Sequence, residues 1–522
     1  MIPINPPSSG TPPVRSIVAQ VRDNARAHPD KLALVCGQTR LTWAAFDEGM
    51  NRVANLLLGQ GMQKGDRIAI LSPNSAGYAV LFMGILRAGG CVTPLSTMAS
   101  GEALERMLAD CSARAIFVAQ QYLGLVDGFV GVMDIDRYAM DFDDPRFVLM
   151  QAALQDADAT DPMIEIDLKD AFNLIYSSGT TGTPKGIIHD HWMRAAQMDR
   201  VTPNGYDNNA RTLISTPLYS NTTIVSFVPT LFGGSTVHLM PKFDAREYLQ
   251  IVEDERITHT MLVPVQYKRI MEVPDFDRFD LSSMQMKFST SAPLRADVKA
   301  DVLARFPGKL IEYYGLTEGG GVTVLAADEH PDKLHTVGKL GPGNDIRLID
   351  AAGQEVPQGQ VGEICGRGPT MMTGYFGRED LTHDYIWHNE AGEVYFRSGD
   401  MGHFDEDGFL ILSDRKKDMI ISGGLNIYAN DLELVLLADP DVTDAAVIGI
   451  PSEQWGETPY GLVVLREGAT RSLDAICAAA NASLGKSQRL SGLEARDALP
   501  RSSIGKILKR ELRAPFWDAA KT

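Results

Sequence analysis

Cysteine is scarce in this 522-residue chain: Cys36, Cys91, Cys111, Cys365 and Cys477 are scattered, odd in number and free of any C-x-x-C pair. Neither a disulfide framework nor a cysteine zinc site is indicated, and a reducing cytoplasm is the expected compartment. Positive charge is in deficit as well, with 49 Lys and Arg against 67 Asp and Glu and a net charge of −18. A general binder of nucleic acid or anionic membrane needs the opposite balance, so any anionic ligand must be held by a local basic site. Long apolar runs are missing too. The most apolar stretch, residues 78–92, is interrupted by Arg87 and by Gly89-Gly90, and it is shorter than the ~20 residues of a membrane span. It reads as a buried helix leading into a strand, and no integral membrane segment is expected. The first 13 residues are rich in Pro, Ser and Gly without the basic-then-apolar order of a secretory signal, so residues 1–15 are expected to be a flexible tail. The C-terminus matches no peroxisomal or lipidation signal.

What is present is ordinary globular material, 44% hydrophobic and 22% charged, long enough for a large multi-part domain and a smaller one. Short β-branched runs at 67–71, 115–118, 171–176, 211–215, 236–240, 258–263 and 286–289 alternate with stretches of helical periodicity. That alternation predicts βα units with buried strands, hence an α/β fold. From about Gly338 the texture changes to closely spaced turn residues among short strands, which predicts antiparallel hairpins or a small barrel-like part. After about Asp414 a new α/β pattern begins, with strands near 444–450 and 460–465 and a helix near 472–484. The expected division is an N-terminal domain over 16–414 and a C-terminal domain over 415–522.

The most informative segment is Tyr176-Ser-Ser-Gly-Thr-Thr-Gly-Thr-Pro-Lys-Gly186, which follows the apolar run 171–175. Gly179 and Gly182 let backbone amides approach an anion; Ser177, Ser178, Thr180, Thr181 and Thr183 offer hydroxyl donors; Lys185 adds a positive charge. This composition describes a phosphate cradle, although a solvated linker can share it. It is not the Walker loop, because Pro184 and Gly186 flank Lys185 and leave no adjacent Ser or Thr to hold Mg²⁺.

With that loop as its centre, the sequence resembles the adenylate-forming superfamily of acyl- and aryl-CoA ligases, luciferase and the adenylation domains of peptide synthetases, over about residues 16–513. The resemblance implies a large N-terminal domain of βα-layered subdomains with a small β-barrel-like part and a small mobile C-terminal α/β domain. Glu312-Tyr-Tyr-Gly-Leu-Thr-Glu318 is similar to the family's Tyr-Gly-x-Thr-Glu. By that likeness Tyr314 and Gly315 meet adenine, Thr317 the α-phosphate, and Glu318 is the metal ligand for Mg²⁺. Alone, a Thr-Glu pair is as well read as a helix cap and an exposed acid. Asp400, in Tyr395-Phe-Arg-Ser-Gly-Asp400, takes the ribose-binding position, with Arg415 beside it and Lys417 at the hinge between the lobes. The competing explanations are a turn aspartate and a surface charge run. Leu499-Pro-Arg-Ser-Ser-Ile-Gly-Lys506 is similar to the C-terminal motif that carries the catalytic lysine, so that role falls to Lys506; a merely basic helix is the alternative. Ser422, Gly423 and Gly424 resemble the stretch that lines the pantetheine arm of coenzyme A, and Trp455-Gly-Glu457 fits the family without an assigned role.

The implied activity is an ATP-dependent acid:CoA ligase that forms acyl-AMP and then the thioester, with release of AMP and pyrophosphate. A stand-alone adenylation enzyme loading a separate carrier protein is the second reading, and a homodimer is an admissible assembly for either. A nucleotide sensor without turnover needs neither Lys506 nor Glu318, and both are present. The implied acyl pocket involves Tyr219, Ser220, Val263, Ser291, Ala292 and Gly320. Ser220 stands where many CoA ligases have His, and Thr290-Ser291 replaces a pair of glycines. No Arg or Lys lies in these stretches, which favours a monocarboxylic acid with an apolar or aromatic body.

Overall fold

The computed structural model describes residues 15–177, 185–423, 425–502 and 505–519. The chain divides into two compact units, one of residues 1–345 and 367–396, the other of residues 346–366 and 397–522.

The first unit is built on two sheets. One has nine strands, in the order Lys339–Leu340, Thr323–Ala326, Lys309–Tyr314, Met286–Ser289, His259–Leu262, Arg211–Ile214, Thr236–Leu239, Leu32–Cys36 and Thr39–Thr42. Its centre is parallel, and its two ends are antiparallel. The other has eight strands, in the order Gly374–Tyr375, Lys185–Asp190, Ala171–Ser177, Cys91–Pro94, Arg67–Leu71, Ala115–Val118, Asp136–Ala139 and Val148–Leu149. A common core contains Trp43, Phe46, Val53, Phe82, Phe172, Phe227 and Phe288 from both sheets and from helices Trp43–Gly59, Ala76–Arg87 and Asn221–Phe232.

Local chemistry explains the element ends. The Ser75 hydroxyl accepts from Tyr78 N–H at 3.0 Å and starts helix Ala76–Arg87. That helix is buried on every side, as a uniformly apolar run must be. The interrupting Arg87 is accommodated because its guanidinium pairs with Asp47 at 2.7 Å and donates to Asn51 at 2.6 Å. Gly84 is required where this helix crosses Trp43–Gly59: a Cβ there would stand 2.5 Å from the Val53 Cβ.

The expected strands appear at 67–71, 115–118, 171–177, 211–214, 236–239, 259–262 and 286–289, and residues 78–92 form a helix end followed by strand Cys91–Pro94. The strand after the glycine-rich loop, Lys185–Asp190, was not marked by the sequence; it returns antiparallel to Ala171–Ser177, with Ser177 opposite Lys185. The alternation of the short run Lys-Gly-Ile-Ile-His-Asp was too brief to mark it.

The second unit carries two further sheets. In one, residues 400–404 pair antiparallel with Leu410–Arg415, and the sheet includes Asp345–Ile349 and Gly362–Arg367. The other sheet orders Leu425–Ile427, Ile420–Ser422, Gly456–Leu465 and Val442–Ser452, with Leu493–Ala495 added in parallel to Gly456–Leu465. Helices Ala429–Leu437, Leu473–Ser483 and Lys509–Ala519 complete the α/β layer, whose core includes Ile420, Leu432, Leu436, Val447, Val463 and Ile476. No helix among the described residues is long and apolar enough to cross a membrane.

Candidate active site

Residues Ser178, Gly179, Thr180, Thr181, Gly182 and Thr183 lie outside the described residues, and Ser177 enters only through its backbone pairing with Lys185. Lys185 is half-buried. Its Nζ donates to the Tyr385 hydroxyl at 3.0 Å and lies over the Tyr385 and Tyr375 rings, 4.9 and 5.7 Å from their centres. Two aromatic faces hold the ammonium by cation–π attraction without neutralising it, so its charge remains available to an anion.

The Tyr375 hydroxyl donates to Glu318 Oε1 at 2.9 Å, and burial first, then the Glu318 carboxylate, push this phenol up from its ordinary value. Tyr375 and Tyr385 therefore tie Lys185 of one candidate motif to Glu318 of another, although the two are 133 positions apart. Neither tyrosine was marked by its sequence context.

Glu318 ends a tightly specified turn. The strand Lys309–Tyr314 delivers Tyr314 half-buried, opposite Thr323; Gly315 is exposed; Thr317 and Glu318 are half-buried. The Glu318 carbonyl accepts from Met372 N–H at 2.8 Å. Gly319, Gly320 and Gly321 then follow with φ of +75°, +81° and +88°, a run that only glycine adopts without strain. The Thr317 carbonyl accepts from His189 Nε2 at 2.6 Å. His189, Asn173 and Arg194 were not singled out by their sequence, although an asparagine inside an apolar strand and a His-Asp-His run directly after another are the signals that could have flagged them.

Glu318 fits Mg²⁺ by the chemistry of its donor. Among the described residues no group of three His, Cys, Asp or Glu could cage a metal, and Mg²⁺ is ordinarily held by one or two carboxylates together with substrate phosphates.

The implied acyl-pocket residues all lie in the first unit. Ser220 is the N-cap of helix Asn221–Phe232, Tyr219 is buried before it, and Val263 caps helix Pro264–Met271. Ser291 takes φ of +81°, and its hydroxyl is hydrogen-bonded to Thr222. The following residue pair, Ala292-Pro293, leads to Leu294, whose N–H donates to Glu312 at 2.6 Å. Glu312 is itself ion-paired with Lys299, both side chains 1% exposed.

In the second unit, Asp400 and Arg415 stand opposite one another on antiparallel strands, with Arg415 Nε 3.2 Å from Asp400 Oδ1. Asp400 is buried and follows Gly399, at φ of +71°. Lys416 and Arg397 both hold Glu363, at 2.8 and 2.6 Å, and the Lys417 carbonyl accepts from Arg513 at 3.2 Å. In the basic triplet 415–417 the Arg415 and Lys416 side chains are ion-paired, and Lys416 and Lys417 are exposed. Ser422 ends the strand Ile420–Ser422 and Gly423 turns after it, its N–H donating to the Trp455 carbonyl at 2.9 Å; Gly424 lies outside the described residues. Lys506 sits in a tight hairpin: Ser502 N–H donates to its carbonyl at 2.8 Å, Arg501 bridges Ile507, and Gly505 turns at φ of +80°. Arg501 fastens the hairpin by donating to the Gly505 carbonyl at 2.6 Å and pairing with Asp444 at 2.7 Å.

Residues 21–376 match the AMP-binding enzyme family, and residues 431–506 match the AMP-binding enzyme C-terminal domain. The chain belongs to the AMP-binding enzyme family. Among similar proteins, feruloyl-CoA synthase of Amycolatopsis sp is 33% identical over 94% of this chain and 97% of its own. The fatty acid–[acyl-carrier-protein] ligase ScoC of Streptomyces coeruleorubidus is 28% identical over 98% of both chains. Of solved structures, ATP-bound MatB from Rhodopseudomonas palustris superposes with a TM-score of 0.87 at 27% identity, covering 97% of this chain and 99% of that one. The full-length match means that this AMP-binding enzyme has the large and small domains in the order expected for an α/β adenylate-forming fold.

Proposed function

We propose that the chain is an ATP-dependent acid:CoA ligase that converts a carboxylic acid to acyl-AMP and passes the acyl group to the coenzyme A thiol, releasing pyrophosphate and AMP. The observation that carries this reading is the link Lys185–Tyr375–Glu318, which puts a cation over the ring and a hard anionic oxygen at the hydroxyl of one side chain, with Lys185 directly following the glycine-rich loop in sequence.

The chemistry needs such an arrangement. A carboxylate is a poor acylating agent until its oxygen is exchanged for a better leaving group, and attack on the α-phosphorus brings several negative charges into one small volume. Catalysis is therefore largely alignment and charge neutralisation. In this reading the loop hydroxyls and Lys185 hold the phosphates, Thr317 meets the α-phosphate, and Tyr314 and Gly315 border adenine. Asp400 accepts from the ribose hydroxyls and Arg415 supports it. Glu318 would hold Mg²⁺, which supplies Lewis acidity to the departing pyrophosphate. Lys506 bridges the substrate carboxylate and the α-phosphate in the first step. Rotation about Lys417 then withdraws Lys506 and brings Ser422, Gly423 and Gly424 to the thiol arm.

The acid is proposed to be monocarboxylic with an aromatic or aliphatic body, received near Tyr219, Ser220, Val263, Ser291, Ala292 and Gly320. The buried Thr222–Ser291 hydroxyl pair adds a polar point to that wall. A reducing cytoplasm is the proposed compartment, supported by five free thiols, three of them buried.

The test is pyrophosphate release over a panel of aliphatic, benzoic and arylpropenoic acids with and without CoA. Turnover that requires CoA and yields acyl-CoA and AMP is the expected result. Release that stops near one equivalent with or without CoA would overturn CoA as acceptor and favour a carrier protein, the acceptor for which the ScoC relative is named.

A further inference from the structure

The imidazole of His189 is fully buried and touches polar groups on both sides. Nε2 lies 2.6 Å from the Thr317 carbonyl. Nδ1 lies 2.8 Å from Arg194 Nη2 and 3.0 Å from Asn173 Nδ2. A guanidinium has donors only, so Nδ1 must present its lone pair to Arg194. The Asn173 amide is oriented by the same arginine, whose Nε donates to Asn173 Oδ1 at 2.9 Å, leaving the amide N–H₂ to face Nδ1 as a second donor. A proton on Nδ1 would meet two donors. The ring proton is therefore on Nε2, and a carbonyl, which can only accept, receives it.

Arg194 is itself fully buried, and its partners are the neutral groups of Asn173, His189, Gln197 and Asn221. Burial draws it down to about 9, which leaves it charged at neutral pH and still a pure donor. Asp190, next in the chain, caps the short helix His191–Ala196 through Met193 N–H at 2.7 Å and so fixes the direction in which Arg194 returns to the ring.

We infer that His189 is a positioning residue for adenylation: fixed as its neutral Nε2–H tautomer by Arg194 and Asn173, it clamps the Thr317 carbonyl and with it the Thr317-Glu318 peptide. This inference rests on the adenylating role proposed for that pair. The peptide is then held at three points, by His189 at the Thr317 carbonyl, by Met372 at the Glu318 carbonyl, and by Tyr375 at the Glu318 carboxylate. With the clamp removed, the turn between the strand Lys309–Tyr314 and the glycine run 319–321 keeps its anchors at Met372 and Tyr375 but loses the one on the Thr317 carbonyl. Displacing catalytic groups by about 1 Å costs up to roughly a hundredfold in rate. His189 touches no substrate in this arrangement and moves no proton.

The test compares His189→Leu with His189→Gln, whose side-chain amide can place an N–H near the position of Nε2. Three measurements are made on the full chain: adenylate formation against MgATP concentration, MgATP affinity by calorimetry, and thioester formation from supplied acyl-adenylate. The Leu variant should lose about ten- to a hundredfold in adenylate formation, with weaker MgATP binding and an unchanged thioester step. The Gln variant should recover to within about threefold of wild type. In wild-type protein, ¹⁵N spectra of the histidine rings, assigned by the loss of a signal set in His189→Gln, should give the pattern of a neutral Nε2–H ring. An Nδ1–H or doubly protonated ring, equal losses in both variants, or equal losses in both chemical steps would overturn the inference. A wild-type chain that adenylates no acid overturns the proposed function instead; the ring's ¹⁵N pattern and the two variants' MgATP affinities then still decide the clamp.

Discussion

Replacing Glu312 with alanine tests how the acyl-side wall is anchored. Glu312 and Lys299 are each 1% exposed and ion-paired, the Lys299 ammonium also donates to the Leu334 and Thr336 carbonyls at 2.8 and 2.9 Å, and Glu312 accepts from Leu294 N–H at 2.6 Å. Removing one member of such a pair leaves a buried charge without its counter-ion, at a cost of about 3–5 kcal/mol. Glu312→Gln keeps the volume and an acceptor for Leu294 but strands the same Lys299 ammonium, so it should cost nearly as much, about 3 kcal/mol. Lys299→Met combined with Glu312→Gln removes both charges and should recover at least half of the alanine loss, because it is the stranded charge that carries most of the cost. Urea unfolding of the full chain gives the readout. At a slope of ~3 kcal/mol/M, the alanine variant's midpoint falls by about 1 M or more. The acid's KM should rise alongside, because Leu294 ends the segment that carries Ser291 and Ala292. A midpoint within 0.3 M of wild type (about 1 kcal/mol) would refute the reasoning, and so would a double variant as unstable as Glu312→Ala.

Further outcomes follow from other sites. Lys506→Ala should slow adenylate formation by roughly 10²–10³-fold, the scale of a lost charge-stabilising donor, while thioester formation from supplied acyl-adenylate changes far less; equal loss in both steps, read by pyrophosphate release and acyl-CoA yield, would refute the assigned role. His189, His191, His238 and His259 are buried, and burial draws each below the ordinary imidazole value, His191 to about 4 and His238 to about 3. The unfolded chain binds these protons more tightly, near 6.5, so stability is intact above that pH and is lost as pH falls toward the folded values; at pH 5 His191 and His238 cost about 2 kcal/mol each. A urea midpoint that does not fall between pH 7.5 and 5 would contradict this. Gly84→Ala puts a methyl 2.5 Å from the Val53 Cβ, 2.6 Å from its Cγ1 and 3.0 Å from the Met50 carbonyl oxygen, and should cost about 1–3 kcal/mol; adding Val53→Ala clears the Cγ1 contact, so the combined loss should be less than additive, and a purely additive pair would show that this contact carries none of the cost.

The alternation of apolar runs with helical stretches located seven of the buried strands, because a strand covered on both faces has no polar side to interrupt it, while the parallel-paired Leu32–Cys36, Asp136–Ala139 and Lys309–Tyr314 went unmarked. The hydroxyl-rich loop stood out by its residue types, and the Tyr-Gly-Leu-Thr-Glu segment by its likeness to a family motif; both signals are local. Composition likewise excluded a disulfide framework.

Tertiary structure alone decided what lies behind those motifs. Lys185 and Glu318 are 133 positions apart, and only the pairing of strand Gly374–Tyr375 with Lys185–Asp190 brings Tyr375 between them. Asn173, His189 and Arg194 read in the sequence as isolated polar residues among apolar ones. Folding turns the strand after the loop back against Ala171–Ser177 and the short helix over both, which converts three unremarkable side chains into one donor–acceptor chain ending on Thr317. The physical reason is that a motif's composition is local, whereas the hydrogen-bond partner that fixes its geometry is chosen by strand pairing and burial.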